Sequence, residues 1–316
     1  MEKKRLIIID SNSIIHRAFH ALPVLTTKKG ELVNAVYGFL LVFFKAIREF
    51  QPDFIVACFD SPGPTFRHKK FEEYKAKRPP TPKDLVSQFP KVKEILNAFN
   101  VSIFEKKGFE ADDLIGTITK KFPEIEKIIL SGDLDTLQLI DPQTKVYLLR
   151  RGVKETILYN ESRVQEKYQG LGPAGLVDFK ALRGDPSDNI PGLPGIGEKT
   201  AVELILKFGS LENLYKELEK NSEKTKTLKP KLKENLLKYK KQAILAAALV
   251  KIERNILLDV DLKKCHWQEY DKTKVVQFLK ALEFESLINR LPERKEVRGQ
   301  EKPVFKKEIK ENLKLL

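Results

Sequence analysis

Short apolar runs rich in Ile, Val and Phe recur through the first half of the chain. They fall at 6–9, 54–59, 101–104, 128–130 and 146–149. Each is too short for a helix and reads as a strand. Between most of them the apolar residues adopt helical spacing, over 35–50, 85–99 and 112–122. Strands alternating with helices predict an α/β domain built on a mostly parallel sheet with helices on both faces. After about residue 180 the pattern changes to helix and turn. A helix is expected at 201–208, a lysine-rich stretch lies at 224–241, and a buried helix is expected at 242–252. The organisation expected is therefore an α/β core over 1–180, a helical region over 181–291, and a charged, weakly patterned tail or linker over 292–316. There is no internal repeat.

The polar residues that end these runs carry the chemistry. Asp10 closes RLIIID and Asp60 closes FIVACFD, while Glu110, Asp112 and Asp113 stand in GFEADD. Asp133 and Asp135 follow in SGDLD, and Asp185 and Asp188 in RGDPSDN. In open α/β sheets the ligand site lies beyond the carboxyl ends of the strands, which is where Asp10, Asp60 and Asp133 are expected. Glu110 and Asp113 are spaced i,i+3 at a helix start, where the dipole tolerates acids. Two carboxylates about 4 Å apart repel by roughly 1 kcal/mol in water and roughly 4 kcal/mol at an effective dielectric of 20. Gathering many of them requires cations, and oxygen-only ligands select hard ions such as Mg²⁺ or Mn²⁺. Asp185 and Asp188 also satisfy ordinary β-turn chemistry.

Charge widens the picture. The 316 residues hold 58 Lys+Arg against 44 Asp+Glu, a net charge of +14. A basic surface around an acidic pocket points to a polyanionic partner. PTFRHKKFEEYKAKRPPTP, residues 64–82, has six Lys/Arg and three aromatics. Arg67, Lys75 and Arg78 are candidates for phosphates, and Phe66 or Tyr74 for stacking on a base. In PGLPGIGEKTAVELILKFG, residues 191–209, Gly192, Gly195 and Gly197 precede an apolar helix in the form of a helix-hairpin-helix turn. Its backbone N–H groups, with Lys199 and Thr200, suit a DNA phosphate held without regard to base sequence.

Other classes recede. Cys58 and Cys265 are too few for a disulfide framework, which predicts a reducing cytoplasm. His16, His20, His68 and His266 form no zinc spacing, and no Ser/His or Cys/His nucleophile set is evident. MEKKRLIIID is a strand rather than a signal peptide, and the apolar stretch 36–47 is too short to span a bilayer.

At this point IIIDSNSIIHRAFHAL, VACFDSPGPTFRHKKFEEYKAKRPPTP, GFEADDLIGT, SGDLDTLQL and ALRGDPSDNIPGLPGIGEKTA carry a resemblance. Together they resemble the 5′ nuclease family, in the branch of the 5′→3′ exonuclease domain of bacterial DNA polymerase I and the flap endonucleases. The resemblance runs in register from about residue 5 to 290. It implies a PIN-like fold and two-metal hydrolysis of DNA near 5′ ends, flaps or nicks, in primer removal and repair. It implies a first metal cluster of Asp10, Asp60, Glu110, Asp112 and Asp113, and a second of Asp133, Asp135, Asp185 and Asp188. It implies a helical arch over about 64–90 that admits a single-stranded 5′ end, with Lys75 or Arg78 placing the scissile phosphate. The helix-hairpin-helix, 192–201, would grip the duplex, with a K⁺ ion on its backbone carbonyls. A monomer is expected, with a polymerase as possible partner.

The chain departs from the family pattern in SGDLDTLQL. Leu134 stands where a lysine is usual, and Thr136 where an apolar residue is usual. It ends at 316 without polymerase sequence, so a stand-alone nuclease and an excised domain both stay open. Two rival functions remain beside the nuclease. One is a catalytically inactive, structure-specific DNA-binding protein; the other is an RNase of the same acidic fold.

Overall fold

The computed structural model describes residues 4–267 and 270–292. Its core is a six-stranded sheet of β1 (Arg5–Asp10), β2 (Phe54–Phe59), β3 (Ser102–Glu105), β4 (Glu126–Ser131), β5 (Thr144–Leu149) and β6 (Thr156–Tyr159), in the order β3-β2-β1-β4-β5-β6. The first five strands are parallel, as their near-continuous apolar runs require, and β6 is antiparallel to β5. The periodicity missed β6, an edge strand of four half-buried residues whose apolar run is only 157–159.

Helices α1 (Ser11–Ala21), α2 (Asn34–Phe50), α3 (Phe66–Lys70), α4 (Lys83–Val86), α5 (Phe89–Ala98) and α6 (Ala111–Lys121) connect the parallel strands. Successive residues of β1 feed opposite cores. Ile7 and Ile9 pack in a cluster with Phe39, Phe43 and Phe99, whereas Leu6 and Ile8 join Leu114, Ile118, Leu182 and Leu249.

The helix expected over 85–99 is broken. Pro90, which has no N–H to donate, fits only the first turn of a helix, so α5 starts afresh after Gln88. Gln88 is fully buried at the break. Its Oε1 accepts from the amides of Ala35 at 2.8 Å and Val36 at 3.3 Å, and its Nε2 donates to Asn34 Oδ1 at 3.1 Å. The interruption thus supplies acceptors to the open N–H groups at the start of α2.

The second half is helical, with α7 (Glu161–Lys167), α8 (Leu176–Arg183), α9 (Glu198–Phe208), α10 (Leu211–Glu219), α11 (Glu223–Lys226), α12 (Pro230–Lys238), α13 (Lys240–Val250), α14 (Lys272–Ala281) and α15 (Glu285–Ile288). The buried helix expected at 242–252 is α13, two residues earlier at each end. The lysine-rich stretch forms α11, α12 and the start of α13. Of the tail, 293–316 lies outside the described residues. Among those described, no helix is long and apolar enough to cross a membrane.

The strand order reverses at the β1–β4 pair, so a crevice opens beyond their carboxyl ends. Asp10 ends β1, and Ser131–Asp133 leave β4 beside it.

Candidate active site

Asp10 is the N-cap of α1 and is 3% exposed. Its carboxylate accepts from Ser13 N at 3.2 Å and from Ser131 Oγ at 2.6 Å, which joins the ends of β1 and β4. Burial pushes it up to about 6, with Asp133 and Asp60 adding to the rise and the two serines opposing it. Asp60 stands just past β2, exposed, and accepts the Ala111 amide at 2.7 Å. Asp112 lies on the first turn of α6. Burial drives it well above the ordinary carboxylate range, followed by the charges of Asp10, Asp133, Asp135 and Glu110. Among the described residues its carboxylate accepts no hydrogen bond.

Asp133 accepts the Asp135 amide at 2.9 Å. Asp135 is pushed up to about 7 by burial and by Asp133, against the pull of Lys180. Lys180 of α8 donates to both Asp135 and Asp185, the latter at 2.7 Å. Burial works against ionising Asp185, yet Lys180 and Ser187 hold its carboxyl below the ordinary value. Leu134 is exposed and brings no charge; the cation beside Asp135 is Lys180 of α8. Thr136 is fully buried, and its hydroxyl donates to the Asp133 carbonyl at 2.7 Å.

The last two acids are bridged by the basic segment. Tyr74 donates toward Glu110 and toward Asp188, each at 3.1 Å. Lys75 Nζ lies 3.0 Å from Glu110 and 3.9 Å from Asp188, and Arg78 pairs with Asp188. The Lys75 amide also donates to the Asp188 carbonyl at 2.9 Å, with Lys75 at φ +57°. Of the expected arch only 66–70, 83–86 and the first two residues of α5 are helical. Residues between them fold as turns down onto the 185–189 loop.

Three expectations are corrected. Asp113 is not available to a metal: it is fully buried and both its oxygens are taken. Arg67 forks onto it with two bonds of 2.7 Å, and the amides of Glu253 at 2.9 Å and Glu110 at 3.1 Å complete the shell. For the same reason Arg67 cannot meet a phosphate. It is 2% exposed, and it also donates to the carbonyls of Leu249 at 2.8 Å and Lys251 at 2.9 Å. Tyr74 is 3% exposed, so its ring cannot stack on a base. Gly192 is packed closely, since a Cβ there would lie 2.0 Å from the Arg183 carbonyl oxygen.

The rest of the hairpin turn is open. A Cβ on Gly197, the N-cap of α9, would meet nothing within 4 Å. Gly195 has φ +78°, a left-handed backbone that glycine suits. Gly195, Gly197 and Lys199 are exposed and Thr200 is half-buried. Pro194 and Gly192 present carbonyls that accept from Asn235 at 2.9 Å and Gln242 at 2.8 Å.

Sequence reasoning missed Lys180 and the Ser13–Ser131 bridge. A lysine within the apolar face of VDFKALR, five residues before Asp185, was the available signal. Among the described residues no three acids, imidazoles or thiols are closed into one metal-ligating group. Lysine and arginine heads stand between several of the acids instead. The donor set still fits hard divalent ions. It is all oxygen, and Asp10, Asp112 and Asp135 are each raised by burial and by the charge of neighbouring acids.

Two family models match the chain. One, 5′-3′ exonuclease, N-terminal resolvase-like domain, matches residues 5–169, and the other, 5′-3′ exonuclease, C-terminal SAM fold, matches 171–273. DNA polymerase I of Bacillus subtilis is 40% identical over 294 residues, 92% of this chain and 33% of that protein. DNA polymerase I of Caldicellulosiruptor bescii is 41% identical over 291 residues, 91% of this chain and 33% of that protein. The chain thus spans about a third of the length of these relatives. Among solved structures, a bacteriophage T5 flap endonuclease complex with DNA and metal ions superposes with a TM-score of 0.64 at 19% identity, covering 91% of this chain and 96% of that one. The catalytic core of Rad2 with a DNA substrate gives 0.59 at 19% identity, covering 92% and 93%. At that identity the two structures speak for the fold.

Proposed function

We propose, from the premise that this chain belongs to the 5′-3′ exonuclease family, that it hydrolyses DNA phosphodiesters near free 5′ ends, flaps and nicks. The observation that carries this reading is the convergence of Asp10, Asp112, Asp133 and Asp135 at the β1–β4 switch point, under a lid bearing Lys75 and Arg78. Acids alone suit a metal; acids beneath basic side chains suit a metal with a phosphodiester.

Asp10, Asp60, Glu110 and Asp112 would hold one Mg²⁺ or Mn²⁺, and Asp133, Asp135, Asp185 and Asp188 the other, with Asp112 facing both groups. Two such ions, when bound, supply a hydroxide at neutral pH and neutralise the attacking and leaving oxygens. Lys75 and Arg78 would release Glu110 and Asp188 and turn to the scissile phosphate, offsetting its growing charge. The exposed amides at Gly195 and Gly197, with Lys199 and Thr200, would hold the duplex by its phosphates at the start of α9. A K⁺ ion on the carbonyls of this turn, a monomeric state, a cytoplasmic site of action and a polymerase partner belong to the same reading. An RNA primer annealed to DNA is the further substrate it suggests.

The test is cleavage of a labelled 5′-flap duplex, with product mapping, with Mg²⁺ and with EDTA. Cleavage near the flap junction that EDTA abolishes is the expected result. Equal cleavage in EDTA would remove the metal mechanism. Binding without turnover under every divalent ion would establish the inactive DNA-binding protein, and preference for an RNA flap would establish the RNase.

A further inference from the structure

We propose that Lys180 is a built-in counter-ion of the Asp135–Asp185 pair, which competes with the second divalent cation and sets how tightly it binds. This rests on the two-metal reading above and concerns only its second half.

The geometry points one way. The Lys180 ammonium lies between two carboxylates that arrive from different elements, Asp135 after β4 and Asp185 after α8, and bonds to both. Its side chain is 16% exposed, and those of Asp135 and Asp185 are 18% and 9% exposed. The contact is therefore shielded from the solvent screening that weakens surface ion pairs. One ammonium cannot neutralise two carboxylates, so a net negative charge remains. A divalent ion between the same oxygens would neutralise both. The two cations claim the same space and the same lone pairs, so their occupancy is exclusive.

Lys180 differs from the other cations at the site in how it is anchored. Lys75 and Arg78 sit on a turn segment outside any helix, and Arg78 is half exposed. Lys180 stands on α8 between buried Phe179 and Ala181. Its backbone is fixed, and only its stem can flex. A metal ion entering here must displace the ammonium but cannot send it far, and like charge continues to oppose the ion after entry. The same lysine keeps the two acids from repelling each other in the metal-free protein. Lys180 thus trades affinity for the second ion against order in its absence.

The experiment titrates Mn²⁺ alone into DNA-free protein, with heat and electron paramagnetic resonance counting bound ions. Wild type is expected to bind one Mn²⁺ tightly and a second weakly. Lys180→Met is expected to bind the second ion roughly tenfold tighter or better, since a nearby unit of positive charge is gone. Metal-free Lys180→Met should melt at a lower temperature than wild type and gain more from Mn²⁺. Lys180→Arg, which keeps the charge, should stay near wild type. Should Lys180→Met fail to fold without metal, Lys180→Gln carries the same expectation, because its amide can still donate to one carboxylate. Unchanged or weaker second-site binding in the neutral variants overturns the proposal while leaving the metal site standing, provided Asp10→Asn loses an ion. No Mn²⁺ on wild type overturns the two-metal reading itself, and this proposal with it.

Discussion

Arg67 and Asp113 form a buried bidentate ion pair, with both N–O distances at 2.7 Å, that clamps three segments together. Arg67 comes from the start of the basic segment and Asp113 from α6. The carbonyls of Leu249 and Lys251, which Arg67 also holds, belong to the end of α13. The pair fixes the base of the lid against the element that carries Glu110 and Asp112.

Removing one partner of such a pair strands a charge in the interior. Arg67→Ala is expected to cost about 3–5 kcal/mol, read as a shift in urea midpoint. Asp113→Asn should destabilise as well, yet leave the number of bound Mn²⁺ ions at the wild-type value. Loss of an ion in Asp113→Asn would return this residue to the metal site.

The contrast between Asp112 and Asp113 marks where the sequence stops being readable. Five strands and the acids at their ends were legible because burial on both sheet faces forces continuous apolar runs, and an acid at the end of one stands out. Which of two adjacent acids faces the crevice depends on the rotation of α6 and on Arg67, which is 46 residues away. No local pattern carries that. Lys180 was hidden for the same reason, since a lysine in an otherwise apolar helix has meaning only once β4 delivers Asp135 to it. The edge strand β6 was missed because its partner β5 settles it, whereas the break after Gln88 had a local signal in Pro90, and only the use of Gln88 by the start of α2 is tertiary.

The raised acids make the metal-free protein sensitive to pH in a definite direction. Asp10 rises from 3.8 to about 6, and Asp135 from 3.8 to about 7. A carboxyl whose folded value lies above its unfolded value binds its proton more readily in the fold, so ionising it costs stability as pH climbs. For Asp10, the cost is on the order of 3 kcal/mol between about pH 4 and pH 6. Asp185 works in the opposite sense, but below about pH 4, where its lowered carboxyl is protonated. In EDTA the melting temperature should therefore fall from pH 4.5 to pH 7.5, and Mg²⁺ should cancel most of the fall near neutrality. A melting temperature that rises with pH in EDTA would refute the account.

Gln88 predicts a purely structural defect. Gln88→Ala leaves the buried amides of Ala35 and Val36 without their acceptor. The expected loss is about 1–3 kcal/mol in urea unfolding. Flap cleavage at a temperature well below the transition should be unchanged.

The hairpin glycines should separate packing from DNA contact. Gly192→Ala drives a methyl group into the Arg183 carbonyl and should cost about 1–3 kcal/mol or more, with duplex affinity falling as the turn is pushed apart. Gly197→Ala meets open space and should leave stability within about 0.5 kcal/mol. If its added methyl group keeps a phosphate from the start of α9, duplex affinity measured by fluorescence anisotropy at low salt will drop with no change in melting temperature. Wild-type duplex affinity in Gly197→Ala would mean that the start of α9 does not touch DNA.

Asp112→Asn tests the site where function and stability oppose each other. Asp112 carries the repulsion of Asp10, Asp133, Asp135 and Glu110, with no hydrogen bond among the described residues to offset it. An amide of the same shape removes that repulsion without opening a cavity, so the metal-free variant should be at least as stable as wild type, by thermal melting in EDTA. The same change takes an anionic ligand from between the two acid groups. Mn²⁺ affinity should therefore fall, and flap cleavage should drop by at least about a hundredfold, of the order seen when a group stabilising the transition state is removed. Binding of uncleaved flap DNA should persist, because the duplex grip at α9 is untouched. A variant that is less stable in EDTA and still cleaves at the wild-type rate would show that Asp112 is a structural acid, and that the crevice is organised around a different residue.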